Sequence, residues 1–166
     1  LLEAARRNGD MRLHLAIQTI CSTGIRVSEL AYITVEAARR GRADIALKGK
    51  LRTILLPARL CRRLLKFAGK NKIAFGAIFL TKSGRPLSRT QIWAEMKCLC
   101  AKAGVAAEKV FPHNLRHLFA MVFYRTSRDI VKLADLLGHS SIETTRIYLT
   151  RSSKEQKLLL DKMVTW

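Results

Sequence analysis

The sequence predicts an α+β fold, mainly α-helical, with one small antiparallel β-hairpin set into it. Three observations carry that expectation. Apolar residues recur at intervals of three and four along most of the chain, as helices with a buried face require. Between Ala43 and Leu56 the period changes towards that of strands. Capping signals and glycines cut the helical stretches into pieces of ordinary length.

The elements follow in order. Met11 to Thr23 carries Leu13, Ile17 and Ile20 at helical spacing and stops at Gly24. A second helix is expected from about Ile25, including Val27 and Leu30. Ala43-Asp44-Ile45-Ala46-Leu47 and Thr53-Ile54-Leu55-Leu56 flank Lys48-Gly49-Lys50, which reads as a hairpin with a basic tip. Pro57 opens a helix to about Ala68, and Ala77 to Leu80 is expected as a third short strand. After the loop Lys82 to Pro86, Ser88-Arg89-Thr90-Gln91 has the capping-box pattern and starts a helix through Ala103. Pro112 introduces a helix to about Tyr124, and Asp129 to Leu137 forms a short one ended by Gly138. Ser140 to Glu143 is a second capping box, and a last helix runs from Lys154 to about Met163. No internal repeat or low-complexity linker interrupts this series, so residues 1–166 are expected to form one domain.

Charge narrows the partner class. The 166 residues hold 31 Lys and Arg against 12 Asp and Glu, a net charge of +19. The basic residues are spread along the chain, which makes a folded basic surface rather than a tail. Such an excess repels itself unless an anionic partner balances it, and nucleic acid is the leading candidate ahead of an acidic membrane surface. No run is long enough to span a membrane, and Glu3, Arg6, Arg7 and Asp10 rule out a secretory leader in the first ten residues, so a cytoplasmic location is expected. Leu1 in place of an initiating methionine suggests a fragment. Cys21, Cys61, Cys98 and Cys100 lie in apolar, helix-like contexts and read as buried free thiols; Cys98-Leu99-Cys100 is one residue short of the spacing that zinc sites use.

Three blocks place polar residues inside apolar packing. In the first, Thr23 to Leu30, Gly24 ends one helix and Arg26 sits at the start of the next, where backbone N–H groups favour anions. In the second, His113, Arg116 and His117 lie at i, i+3 and i+4 and share a helix face, leaving Leu115, Leu118 and Phe119 for the core. No carboxylate or cysteine neighbours the His113–His117 pair, so no metal is expected there. The third runs from Leu136-Leu137-Gly138-His139-Ser140 to Thr144-Thr145-Arg146-Ile147-Tyr148. Each alone has an ordinary structural explanation: a solvated arginine, a C-terminal capping histidine, a half-buried tyrosine.

Together, Arg26-Val27-Ser28-Glu29-Leu30, His113-Asn114-Leu115-Arg116-His117 and Leu137-Gly138-His139, with Tyr148 nine residues beyond that histidine, resemble the boxes of the tyrosine recombinases. That family includes phage and conjugative-transposon integrases and the bacterial recombinases that resolve chromosome dimers. Order, residue types and spacing agree from about Thr23 to Arg151. The resemblance implies the tyrosine recombinase catalytic-domain fold, double-stranded DNA as substrate, no cofactor and no metal.

It also implies roles. Tyr148 is the nucleophile that forms a 3′-phosphotyrosyl link; Arg26 and Arg116 clamp the non-bridging phosphate oxygens; His139 adds a hydrogen bond to the same phosphate; His113 handles the tyrosine proton. The family's catalytic lysine stands in a hairpin turn. Matching Lys-Gly selects Lys48 to protonate the leaving 5′ oxygen, and a one-residue shift of the turn selects Lys50. His117 and Asn114 belong to packing and orientation, and Glu29 pairs with an arginine inside the fold. Lys50, Arg52, Arg85, Arg89 and Lys97 are candidate DNA contacts, with a plain solvated basic face as the alternative. Relatives add an N-terminal clamp domain, for which this chain has no room. They also work as tetramers on DNA, and the helix at 154–166, with Leu158, Leu159, Leu160, Met163 and Trp166, resembles the tail they dock onto a neighbouring subunit. The rival readings are type IB topoisomerase-like relaxation and a non-catalytic DNA-binding module on the same fold.

Overall fold

The computed structural model describes residues 1–47, 50–139 and 141–149, with the side chains of Leu47, Lys50, Lys109, Ile147, Tyr148 and Leu149 excepted. Contacts divide the chain into two compact units, one running to Phe119 and one beginning at Ala120. The first holds α1 (Leu2–Arg7), α2 (Met11–Thr23), α3 (Val35–Arg40), strands β1 (Arg42–Leu47) and β2 (Lys50–Leu55), α4 (Ala58–Lys70) and α5 (Arg89–Ala103). Helix α6 (Pro112–Ser127) leads out of it, and α7 (Ile130–Leu137) and α8 (Ile142–Leu149) belong to the second. A mainly helical architecture with a small antiparallel sheet is what the sequence predicts and what is found. No helix among the described residues is long and apolar enough to cross a membrane.

Helix α2 is the centre of the first unit. Leu13, Leu15, Ala16, Ile17 and Ile20 are all buried, so apolar contact surrounds it rather than lying along one stripe. It packs against α1, α4 and α5. Asp10 caps its start by accepting from the Leu13 N–H at 2.9 Å, and Gly24 ends it in the left-handed region at φ 66°. Beyond Gly24 the expected helix is instead a 3₁₀ turn, Val27–Tyr32, followed by α3. The buried residues Val27, Leu30 and Ile33 recur every third position, which fits the three-residue turn of a 3₁₀ helix.

Strands β1 and β2 pair antiparallel from Arg42↔Leu55 to Leu47↔Lys50. Ala43, Ile45 and Ile54 turn into the core while Asp44, Thr53 and Leu55 face out, the alternation a half-buried hairpin requires. Strand β2 begins at Lys50, three residues before the expected start at Thr53, and Lys48 and Gly49 lie outside the described residues. The third strand expected at Ala77–Leu80 does not form. That segment makes one bridge to Thr34 and another to Pro86, and Ile78 and Phe79 are both buried despite being consecutive. An apolar run crossing between two partners meets its backbone needs singly, without a ladder.

The capping box of α5 is present: the Gln91 N–H donates to Ser88 Oγ at 3.2 Å and the Ser88 N–H to Gln91 Oε1 at 3.1 Å. In the second unit Asp129 accepts from the Lys132 N–H at 2.9 Å to cap α7, Gly138 ends it, and α8 packs on α7. Ser141 Oγ accepts from the Glu143 N–H at 3.2 Å at the start of α8; the expected cap, Ser140, and the helix expected from Lys154 to Met163 lie outside the described residues. All four thiols are free, but only Cys61 and Cys100 are buried. Cys21 is half-buried, with burial pushing its pKa up to about 11, and Cys98 is exposed because Met96, Leu99 and Cys100 take the inner face of α5.

Phe79 is 1% exposed within this core. Phe79→Ala should lower the unfolding free energy by about 3–5 kcal/mol, against about 1 kcal/mol for the cap variant Ser88→Ala, both read from urea denaturation.

Candidate functional site

The turn after α2 gathers three guanidinium groups. Arg26 is extended, at ψ 151°, and its backbone N–H donates to Glu29 Oε2 at 2.7 Å while its Nη1 donates to Glu29 Oε1 at 3.0 Å. From β2, Arg52 Nη2 donates to Glu29 Oε2 at 2.6 Å. Glu29 is 1% exposed, and the Arg52 side chain is 15% exposed. Burial lowers the Arg52 pKa from its ordinary value, with the Glu29 charge acting the other way. Glu29 therefore pairs with an arginine inside the fold, as expected, and in fact with two.

The third guanidinium comes from α6. Arg116 is 3% exposed, and its Nη1 donates to the Gly24 carbonyl at 2.5 Å. Gly24 thus ends α2 and also holds Arg116 two residues before Arg26. The fold brings the first two sequence blocks onto one short turn although 90 positions separate Arg26 from Arg116. Arg116 and Ala120 form the buried line of α6, Leu115 packs against the core, and Leu118, expected there too, is 51% exposed. His113 is exposed one turn before Arg116. Partial desolvation, then the positive charge of Arg116 and of His117, hold its imidazole below the usual value of about 6.5. A neutral imidazole is the form that accepts a proton.

His139 and Tyr148 belong to the second unit. His139 follows the left-handed Gly138, and its Nδ1 is 2.8 Å from Thr145 Oγ1; Thr145 is completely buried. Helix α8 carries Tyr148 three positions beyond Thr145, so both positions fall on the same side of that helix. The Tyr148 side chain lies outside the described residues. Thr145 is the residue that sequence reasoning left without a role. Its only sequence signal is a hydroxyl three positions before the tyrosine.

The other candidates are scattered. Lys48 lies outside the described residues, and Lys50 is at the start of β2. Arg85 and Arg89 are exposed, one in the loop before α5 and one in its first turn. Lys97 has protein partners: its Nζ donates to the Ala107 carbonyl and stands 4.5 Å from the Phe111 ring centre and 5.7 Å from that of Trp93. No group of three His, Cys, Asp or Glu side chains suited to a metal occurs among the described residues.

The sequence signature of the phage integrase family matches residues 1–155. Tyrosine recombinase XerH of Campylobacter jejuni is 34% identical over 158 residues, covering 92% of this chain and 45% of that protein. Tyrosine recombinase XerD of Brucella suis is 36% identical over 158 residues, covering 88% of this chain and 50% of the relative. The crystal structure of the XerH site-specific recombinase bound to difH substrate, a pre-cleavage complex, superposes with a TM-score of 0.75 at 25% identity, over 94% of this chain and 49% of that one. The chain spans about half the length of the relatives it matches.

Removing the carboxylate from this turn strands Arg52 in a largely buried position. Glu29→Gln should cost about 3 kcal/mol in urea unfolding, and a double-mutant cycle with Arg52→Met should return a coupling of about 1 kcal/mol or more.

Proposed function

This chain belongs to the phage integrase family of tyrosine recombinases, and we propose on that premise that it cleaves and rejoins DNA strands in site-specific recombination. The observation that carries the reading is the shared turn: Arg116 fixed on the Gly24 carbonyl, and Arg26 fixed on Glu29 two residues later. Two guanidinium groups held before any substrate arrives are suited to the non-bridging oxygens of one phosphodiester, whose charge grows as phosphorus is attacked.

In this reaction the Tyr148 phenolic oxygen forms a bond to phosphorus, and the bond from phosphorus to the 5′ oxygen breaks. The products are a 3′-phosphotyrosyl link and a free 5′-hydroxyl. The phenol, with an ordinary pKa of about 10, loses its proton as it attacks, and His113 takes it. The departing 5′ oxygen takes a proton from the hairpin lysine, Lys48 by the Lys-Gly match, with Lys50 the alternative. His139 donates to the phosphate from Nε2, with its Nδ1 oriented by Thr145. Because the link conserves the bond energy, a second strand's 5′-hydroxyl reverses the attack without ATP.

Arg85, Arg89 and Lys50 contact the duplex in this reading, and the net charge of +19 supports that use, whereas Arg52, a candidate DNA contact by sequence, is engaged by Glu29. Domain organisation follows the family: residues 1–166 serve as the catalytic part, with 154–166 as a tail helix docking between subunits of a tetramer, in the cytoplasm on the nucleoid.

A nicked duplex carrying the recombination site, mixed with the protein without divalent metal, should yield a denaturation-resistant adduct that Tyr148→Phe abolishes. Arg26→Ala or Arg116→Ala should reduce adduct formation at least about a hundredfold. Failure of the longest form of the protein to form an adduct on a site it binds would replace this reading with that of a DNA-binding module. The pH profile supplies a second check. Since His113 acts neutral and its pKa is lowered, cleavage should be fully active at pH 7 and fall only below pH ~6.5, and His113→Ala should remove that acidic limb.

A further inference from the structure

The N-terminal end of α2 and one side of α4 enclose a groove of about 820 Å³. Its apolar wall includes Met11, Phe67 and Ile73, and its rim carries Lys66, Lys70 and Lys82. Two further cations stand at the same groove but are already engaged: Arg12 with Glu95 and the Leu80 carbonyl, Arg63 with Gln18 and His14. Lys66, Lys70 and Lys82 are exposed and make no ion pair among the described residues. The wall's one carboxylate, Asp10, is occupied in capping α2. Helix α4 bears five cations, Arg59, Arg62, Arg63, Lys66 and Lys70, and no acid.

This groove is not the candidate active site. Met11 and Gly24 stand at opposite ends of α2, about 20 Å apart at 1.5 Å per residue. Nor is its lining what a duplex backbone asks for. Phosphates take cations and hydrogen-bond donors, and they leave an apolar wall unfilled. A concave apolar wall bordered by unpaired lysines complements a helix that is apolar on one face and acidic on the other.

We infer that this groove docks an acidic amphipathic helix of a partner protein, the apolar face entering between α2 and α4 and the carboxylates meeting Lys66, Lys70 and Lys82. The inference does not rest on the strand-exchange reading, because neither the turn at Gly24 nor Tyr148 takes part.

The test uses the full chain and a fluorescent peptide of about 18 residues, with leucines at helical spacing and glutamates elsewhere. Anisotropy at low salt should show saturable binding. A peptide of equal charge with serine at the leucine positions should bind at least about tenfold more weakly, and Met11→Glu should weaken the leucine peptide about fivefold. The surface triple variant Lys66→Glu, Lys70→Glu, Lys82→Glu should weaken it at least about tenfold while leaving duplex DNA binding within about twofold. Equal binding of the two peptides would reduce the groove to a plain basic surface and overturn the inference. A parallel loss of DNA affinity in the triple variant would reassign the lysines to DNA, and absence of peptide binding would end the proposal. A failed adduct assay with intact peptide binding would count against the recombinase reading alone.

Discussion

Glu29 is almost wholly shielded from water, and a carboxylate in that position is tolerated only with cations against it, since desolvating an unpaired charge costs several kcal/mol. Its two oxygens accept from the Arg26 backbone, the Arg26 guanidinium and the Arg52 guanidinium. Those bonds shape the chain around them. Tying the Arg26 N–H to a side chain three residues ahead keeps Arg26 extended, so the segment beyond Gly24 tightens into a 3₁₀ turn instead of continuing as α-helix. Tying Arg52 to the same carboxylate anchors β2, and hence the hairpin, to that turn. The hydrogen bond from Arg116 to Gly24 then brings in α6.

This arrangement is not the most stable one available to such a segment. Two guanidiniums face one carboxylate while Arg116 is held by a neutral carbonyl, and a chain of net charge +19 supplies little else to offset them. Apolar residues of similar size would avoid the desolvation cost. What the charged version gains is preorganisation: guanidinium groups whose positions are fixed by protein acceptors before any anion arrives. The lowered pKa of His113 comes first from partial desolvation and then from these surroundings, because the Arg116 charge also disfavours a second proton on the neighbouring imidazole. One positive field thus suits an anion and opposes protonation of His113.

The parts of the fold legible in the sequence are those decided by neighbours in the chain. Helix α2 and its glycine stop, the Ser88–Gln91 box and the Asp129 cap all follow from side chains within a turn of the backbone groups they satisfy. The 3₁₀ turn was not legible as such, since Val27 and Leu30 satisfy helical spacing equally well, and only Ile33 at the next third position separates the two periods. Ala77–Leu80 looks like a strand because it is apolar and short, yet a strand needs a continuous partner, and sequence spacing does not report one. The site divides in the same way. Its residue types stood out through the family's boxes, but the acceptor for Arg116 is a backbone carbonyl, which every residue possesses and none advertises. Thr145 was hidden for a related reason: a threonine inside a helix is unremarkable until the histidine it orients is placed beside it.

Helix α2 links the two surfaces of the first unit and also keeps them apart. Its carboxyl end supplies the carbonyl that positions Arg116, while its amino end forms part of the groove beside α4. Buried side chains surround the helix between these ends, and a close-packed interior resists independent movement of one end against the other. A partner seated at Met11 therefore stabilises the first unit as a whole, by mass action on the folded state, without rebuilding the arginine turn. Changes at Lys66, Lys70 or Lys82 can then alter the groove while the Gly24–Glu29 turn keeps its hydrogen bonds.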